Sequence, residues 1–211
     1  MKRFLKIIAV LAGLAVLAVI LTAALTPWMD RWGATDGEVA ASFPGDDLLA
    51  QPASFLNRAV TVHATPEEIY PWIVQLGADK GGMYSYTRLE TLLHCSQVNA
   101  DRIHAEWQQL AVGDEMKMCA TQPAPPPYII AKVLPNEAVV MGHKEDGQWV
   151  DVWAFIIVPQ QDGTSRLMTR TRTNAVGGFW TVIHPGVFIM ERGMLLGIKE
   201  RAEQMAESSA Q

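Results

Sequence analysis

The sequence predicts an α+β protein in which an antiparallel sheet wraps around a long C-terminal helix, preceded by one N-terminal transmembrane helix. Three observations carry this expectation. Residues Ile7 to Thr26 form an uncharged apolar run; four strand-like segments follow one another between residues 127 and 175; and helical spacing of apolar residues returns from Phe179 to about Met205. A bent antiparallel sheet has an apolar face to cover, and one long helix laid across it does so without filling the whole concavity. The expected by-product is a cavity between helix and sheet.

The first element is "IIAVLAGLAVLAVILTAALT", 20 residues with no charge and no proline. At 1.5 Å per residue this matches a hydrocarbon core of about 30 Å. Pro27 is expected to stop the helix, and Trp28 and Trp32 sit where interfacial aromatics are favoured. A signal peptide has a shorter apolar region, usually about 7–15 residues, so the length favours an uncleaved anchor. Lys2, Arg3 and Lys6 precede the span and Arg31 follows it, which points to a cytoplasmic N-terminus and an extracytoplasmic domain on a single-pass membrane protein. The division expected is an anchor over residues 1–27, a linker over 28–56 and a folded domain over 57–206.

The linker mixes Gly, Pro, Ser and acids with no sustained period. A strand candidate over 57–64 alternates apolar and polar residues. "TPEEIYPWIVQLG" then reads as a helix: Thr65 caps it, Pro66 occupies its first turn, Glu68 completes a capping box and Gly77 ends it. Gly81 and Gly82 supply a turn before a second short helix from about Tyr86 to His94, where Thr87-x-x-Glu90 reads as another capping box. Residues 99–118 look irregular and deliver a short strand. The strands "PYIIAKVL", "AVVMGHK", "QWVDVWAFIIVP" and "SRLMTRTRTNA" are separated by turn signals at Pro135-Asn136, Glu145–Gly147 and Gln160–Gly163. In the final helix Val187, Met190, Met194, Leu195 and Ile198 share one side, and Pro185 could begin its regular part.

Composition excludes some functions. The 211 residues are 49% hydrophobic and 18% charged, as in a folded chain, and 22 acidic against 17 basic residues give a net charge of -5. No Lys/Arg cluster exists outside the first six residues, so nucleic acid is not an expected partner. No GxSxG, HExxH or glycine-rich phosphate loop is present, and neither Cys95 nor Cys119 has a metal-ligand spacing, so no cofactor or metal is expected. In an oxidising compartment the two cysteines could pair; two buried thiols acting as small hydrophobes is the reading the sequence favours.

The element order, with "YPWIVQLGADKGGMYSYTRLE" (70–90), "NADRIHAEWQQLAVGDE" (99–115), "WAFIIVP" (153–159), "SRLMTRTR" (165–172) and "FIMERGMLLGIKERAE" (188–203), resembles the START-like SRPBCC superfamily. Within it the chain is similar to the bacterial, membrane-anchored polyketide cyclase/dehydrase and lipid-transport-like group. The resemblance spans about residues 57–204 and implies a helix-grip fold with a hydrophobic ligand cavity. It implies no particular reaction, because one such cavity serves different tasks.

The candidate ligand-binding residues follow from that frame. Tyr84 and Tyr86 lie in the segment that the resemblance places at the cavity mouth, each with an apolar ring and a hydroxyl that needs a partner. Trp72 and Trp107 are large aromatics of walls that core and cavity share. Along the strand at 148–159, Trp149, Asp151, Trp153, Phe155 and Ile157 share one face. The aromatic face is assigned to the cavity, with Asp151 near a wet end. Arg166, Met168, Arg170 and Arg172 also share a face; a solvated row is the plain reading, whereas an inward Arg170 or Arg172 would require a carboxylate or phosphate partner. Met190 and Met194 suit a plastic wall against an irregular apolar ligand. Asp101, His104 and Glu106 read as surface polar residues. The expected function is membrane-tethered binding or transfer of a lipid, polyketide-like or isoprenoid molecule. The alternative is a cyclase or dehydratase acting on a polyketide-like substrate by general acid–base catalysis, with Tyr84, Tyr86, His104, Asp151 or an inward Arg as proton donors and charge stabilisers but no matched pair that would assign a catalytic residue.

Overall fold

A computed structural model describes residues 2–92, 94, 95 and 97–209. Six antiparallel strands form one sheet in the order β1-β6-β5-β4-β3-β2. In chain order the elements are α1 (Lys2–Asp30), α2 (Asp36–Ala40), β1 (Ser54–Val62), α3 (Pro66–Val74), α4 (Thr87–Leu92), β2 (Glu115–Met116), β3 (Tyr128–Leu134), β4 (Ala138–Glu145), β5 (Gln148–Pro159), β6 (Ser165–Thr173) and α5 (Gly178–Ser209). This is the helix-grip arrangement: the inner sheet face closes on α5, with α3 against the helix and strands β4 and β5.

Strand alternation separates two apolar layers. Val60 and Val62 of β1, Trp153, Phe155 and Ile157 of β5 and Leu167 of β6 pack inward on Ile69, Trp72 and Ile73 of α3 and on Met194, Leu195 and Ile198 of α5. Ala59, Val152, Ala154, Ile156 and Met168 face outward. The assignment of the β5 aromatic face to the interior holds from Asp151 to Ile157. It fails at Trp149, which joins the outer layer because the β4–β5 register shifts between His143 and Lys144.

The outer layer is covered, which the sequence reading did not anticipate. The segment read as a linker folds back over the sheet, placing Ala34, Phe43, Leu48 and Leu49 on the outer apolar layer. It also pairs with the arginine row. Arg166 Nε donates to Glu38 Oε1 at 2.6 Å, Arg170 Nε to Asp46 Oδ1 at 2.8 Å, and Arg172 Nε to the Leu49 carbonyl at 2.7 Å. Although burial acts to raise the Glu38 pKa, hydrogen bonds from Arg166 and Thr35 hold it below the usual value. The row is therefore neither solvated nor inward; acids of the strap neutralise it.

Helix α1 continues through Pro27 to Asp30 instead of ending at the proline. Its last turn is held by the domain: the Met29 carbonyl accepts from Arg58 Nε at 2.8 Å, Asp30 Oδ1 lies 2.7 Å from His184 Nε2, and the Trp28 ring meets Phe188 edge-on at 5.2 Å. One N-terminal helix, Arg3–Asp30, is thus long and apolar enough to cross a membrane, and none of its most apolar stretch is buried in the protein.

Helix α3 forms as its capping signals predict, with the Thr65 amide donating to Glu68 Oε2 at 2.8 Å. Helix α5 begins ahead of Pro185, at Gly178, and keeps the proline inside. It passes tightly against the domain at Gly197, where an added Cβ would lie 2.0 Å from the Tyr84 carbonyl oxygen. Gly197→Ala is accordingly expected to cost about 1–3 kcal/mol, as overpacking does; chemical denaturation would reveal it as a lowered midpoint at unchanged slope.

Candidate functional site

A cavity of about 490 Å³ lies between α5, α4 and the inner sheet face. The sheet contributes Leu56, Tyr128, Trp153 and Thr171; α5 contributes Trp180, Val182, Ile183, Val187, Met190, Glu191 and Met194; α4 contributes Glu90. Met83, Ser85, Gln97, Met118 and the Cys95–Cys119 pair close the remaining sides. The volume falls in the roughly 300–1,000 Å³ range of small-molecule sites, and the lining is overwhelmingly apolar, as such sites require.

The cysteines form a disulfide with Cα atoms 4.9 Å apart, correcting the reading of two separate thiols. The bond ties the segment after α4 to the segment after β2, and both residues line the cavity. Sequence spacing could not show this, because the two residues meet only once the sheet has folded.

Of the sequence candidates, the structure brings Trp153, Met190 and Met194 together on the cavity wall. Trp72 and Phe155 are fully packed in the inner core, where the Trp72 ring meets Tyr84 edge-on at 5.8 Å. Tyr84 is buried and its hydroxyl accepts from Gln75 Nε2 at 2.9 Å. Burial pushes this phenol up to about 12, against the smaller pull of the Gln75 hydrogen bond and the Arg201 charge. Tyr84 and half-exposed Tyr86 border a separate, more open and more polar hollow of about 620 Å³ beside Gly193 and Gly197. Trp107 stacks on His104 at 4.1 Å, away from the cavity. Arg170 is on the opposite sheet face, bound to Asp46.

Asp151 faces inward near Tyr128 but not into the cavity. It holds His143, whose Nδ1 lies 2.8 Å from Asp151 Oδ2 while Nε2 lies 3.1 Å from the Pro126 carbonyl. Both ring nitrogens lie against acceptors of the protein itself, and the ring does not line the cavity. Tyr128 lies against this ring at 4.1 Å, tilted by 42°; burial, then the charges of Asp151 and Glu191, raise its pKa far above the usual phenol value.

The charged groups in and just behind the cavity wall are ones the sequence reading missed. Arg58, fully buried on β1, donates through Nη1 to Glu191 Oε2, and Trp153 Nε1 donates to Glu191 Oε1 at 3.2 Å. Glu90 forms no capping box: Thr87 is the first residue of α4, and the carboxyl turns into the cavity at 3% exposure. Neither of its oxygens has a hydrogen-bond partner. Burial raises its pKa above the ordinary 4.5, opposed more weakly by the adjacent Gln97 amide.

Glu90 thus binds its proton more tightly in the folded chain than in the unfolded one. The sign follows: stability is fully present below about pH 4.5 and falls as pH rises through the folded value. Glu90→Gln is expected to flatten that slope and to raise stability at pH 7, because the amide carries no charge to strip of water. Urea denaturation of both proteins across pH 4 to 8 checks this.

No protein-family model matches the chain, and no curated protein matches it in sequence. Among solved structures it is similar to the Aha1 dimer from Colwellia psychrerythraea, at 17% identity over 71% of this chain and 96% of that one with a TM-score of 0.46. It is also similar to CalC, a self-sacrificing resistance protein from Micromonospora echinospora, at 10% identity over 72% and 95% with a TM-score of 0.46. A third is the KanY protein, at 14% identity over 71% and 97% with a TM-score of 0.46.

Proposed function

We propose that this is a membrane-tethered domain that binds or transfers a hydrophobic or amphipathic small molecule in the cavity between α5 and the sheet. The apolar lining of a hollow this large is the observation that carries the reading, because a chain gains nothing from leaving such a volume empty of partners. The surroundings of the mouth support a lipid-side source for the ligand. Val182 lines the cavity yet is 74% exposed, Leu92 of α4 is 73% exposed, and no Asp, Glu, Lys or Arg occurs from Thr173 to Met190. Exposed apolar surface of this kind marks contact with a membrane or partner. It belongs to the half of α5 against which the end of α1 packs, so the anchor would hold the mouth close to the bilayer. The disulfide supports an extracytoplasmic domain, as does the charge bias around the span.

The full chain in nanodiscs should enhance and blue-shift the emission of a neutral solvatochromic dye beyond what empty nanodiscs produce, in a saturable way. Emission equal to that of empty nanodiscs would count against the reading. The acid–base enzyme is a second reading favoured by one observation, a buried Glu90 carboxyl in the cavity whose pKa burial raises above the ordinary value. It requires Glu90→Gln to abolish turnover of a polyketide-like substrate while dye binding persists.

A further inference from the structure

The cavity wall carries hydroxyl and indole groups from Ser85, Tyr128, Thr171, Trp153 and Trp180, but its charged groups are of one sign. Glu90, Glu191 and Gln97 line it, whereas no Lys or Arg does among the described residues. Glu191 is already spoken for, with one oxygen held by Arg58 and the other by the Trp153 indole. Ser85 is also engaged, its hydroxyl donating to the Met190 carbonyl at 2.8 Å. The fully buried lining atoms left without a partner are acceptors: both Glu90 oxygens and the Gln97 Oε1. A buried polar group without a partner is costly, and such groups in native proteins mark a missing ligand more readily than a tolerated defect. The Gln97 amide can turn to satisfy one Glu90 oxygen, which still leaves a carboxyl with capacity for a second partner.

We infer that Glu90, assisted by Gln97, selects a ligand whose apolar body ends in a hydrogen-bond donor, a hydroxyl or an amine, over one ending in a carboxylate or phosphate. This rests on the proposed ligand-binding reading and assigns its polar end. A hydroxyl donates to Glu90 and an ammonium pairs with its carboxylate. An anionic head would enter a cavity that holds two acids and offers no cation, so like charge and lost hydration both oppose it. The chain of such a ligand would lie along Met190, Met194 and Val187, and the head beside α4.

The test uses the full chain in nanodiscs loaded with equal amounts of tetradecanol, tetradecylamine and tetradecanoate, with adducts counted by native mass spectrometry at pH 7.5 and corrected for each compound's content in the bilayer. Alcohol and amine adducts should exceed the carboxylate adduct by about tenfold or more. In Glu90→Gln the amine adduct should fall by a similar factor while the alcohol adduct is retained, since an amide still accepts from a hydroxyl. Carboxylate bound as well as the alcohol, or a selectivity that Glu90→Gln leaves untouched, would overturn the assignment while leaving the ligand-binding reading standing. If none of the three forms an adduct, both fail together.

Discussion

Replacing Arg58 by methionine should destabilise the protein by about 3–5 kcal/mol, a large part of what a domain of this size possesses. Arg58 is completely buried beneath the cavity, where its guanidinium binds Glu191 and the Met29 carbonyl and lies 3.9 Å from Asp30. Methionine matches much of its length but leaves the Glu191 carboxylate with only the Trp153 indole as a donor. The penalty is that of stranding a buried charge rather than of losing one contact. It follows that Arg58→Met combined with Glu191→Met should recover most of the loss, because removing both charges removes the need for either. Urea unfolding of the two single variants and the double variant measures the coupling; equal losses in single and double variants would mean that the pair is not what matters. The same network joins α1 to α5 through Met29, Asp30 and His184, so the Arg58 variant should also loosen the anchor from the domain.

The second large effect is expected from filling the hollow. Val187 is partly buried on the α5 wall of the cavity, and an indole at this position has the space between α5 and the sheet to enter. Val187→Trp should therefore keep the fold, with its disulfide and helical content intact, while binding of an apolar ligand falls at least about tenfold, or roughly 1.4 kcal/mol. Met190→Trp approaches the same space from the next turn and guards against an indole that swings outward. Retention of full dye binding by both variants would show that the ligand does not sit here.

Much of the scaffold is legible in the sequence because its signals are local. The strand at Gln148–Pro159 begins and ends where alternation and turn residues place it, and Thr65 with Glu68 marks the start of α3. Trp153, Met190 and Met194 reach the cavity because strand and helix periodicity already put them on inward faces. What escaped the sequence depends on contacts between distant segments. Glu90 sits three residues after Thr87, which imitates a capping box, and only the placement of α4 at the cavity turns it inward. Arg58 and Glu191 are separated by 133 residues and meet only after β1 and α5 have docked. The strap over the outer face has no apolar period of its own; its acids find Arg166 and Arg170 only across the assembled sheet. Trp149 shows how one bulge defeats an otherwise correct alternation.

The cavity also explains why the tyrosines that stand out in "GGMYSYTRLE" are not its lining. Gly82 allows the chain to pass Asn99 with no room for a Cβ, which would meet its Oδ1 at 2.5 Å. That turn carries Tyr84 onto Gln75 and lays Tyr86 along Gly193, while it brings Met83 and Ser85 to the cavity instead.

Native mass spectrometry of the full chain, expressed in its own host and released from nanodiscs, addresses the hollow directly. The structure leads us to expect one apolar small molecule per chain, retained by the native protein and lost in Val187→Trp. A bare chain in every preparation, together with an interior in which α5 and the sheet have closed upon each other, would contradict it.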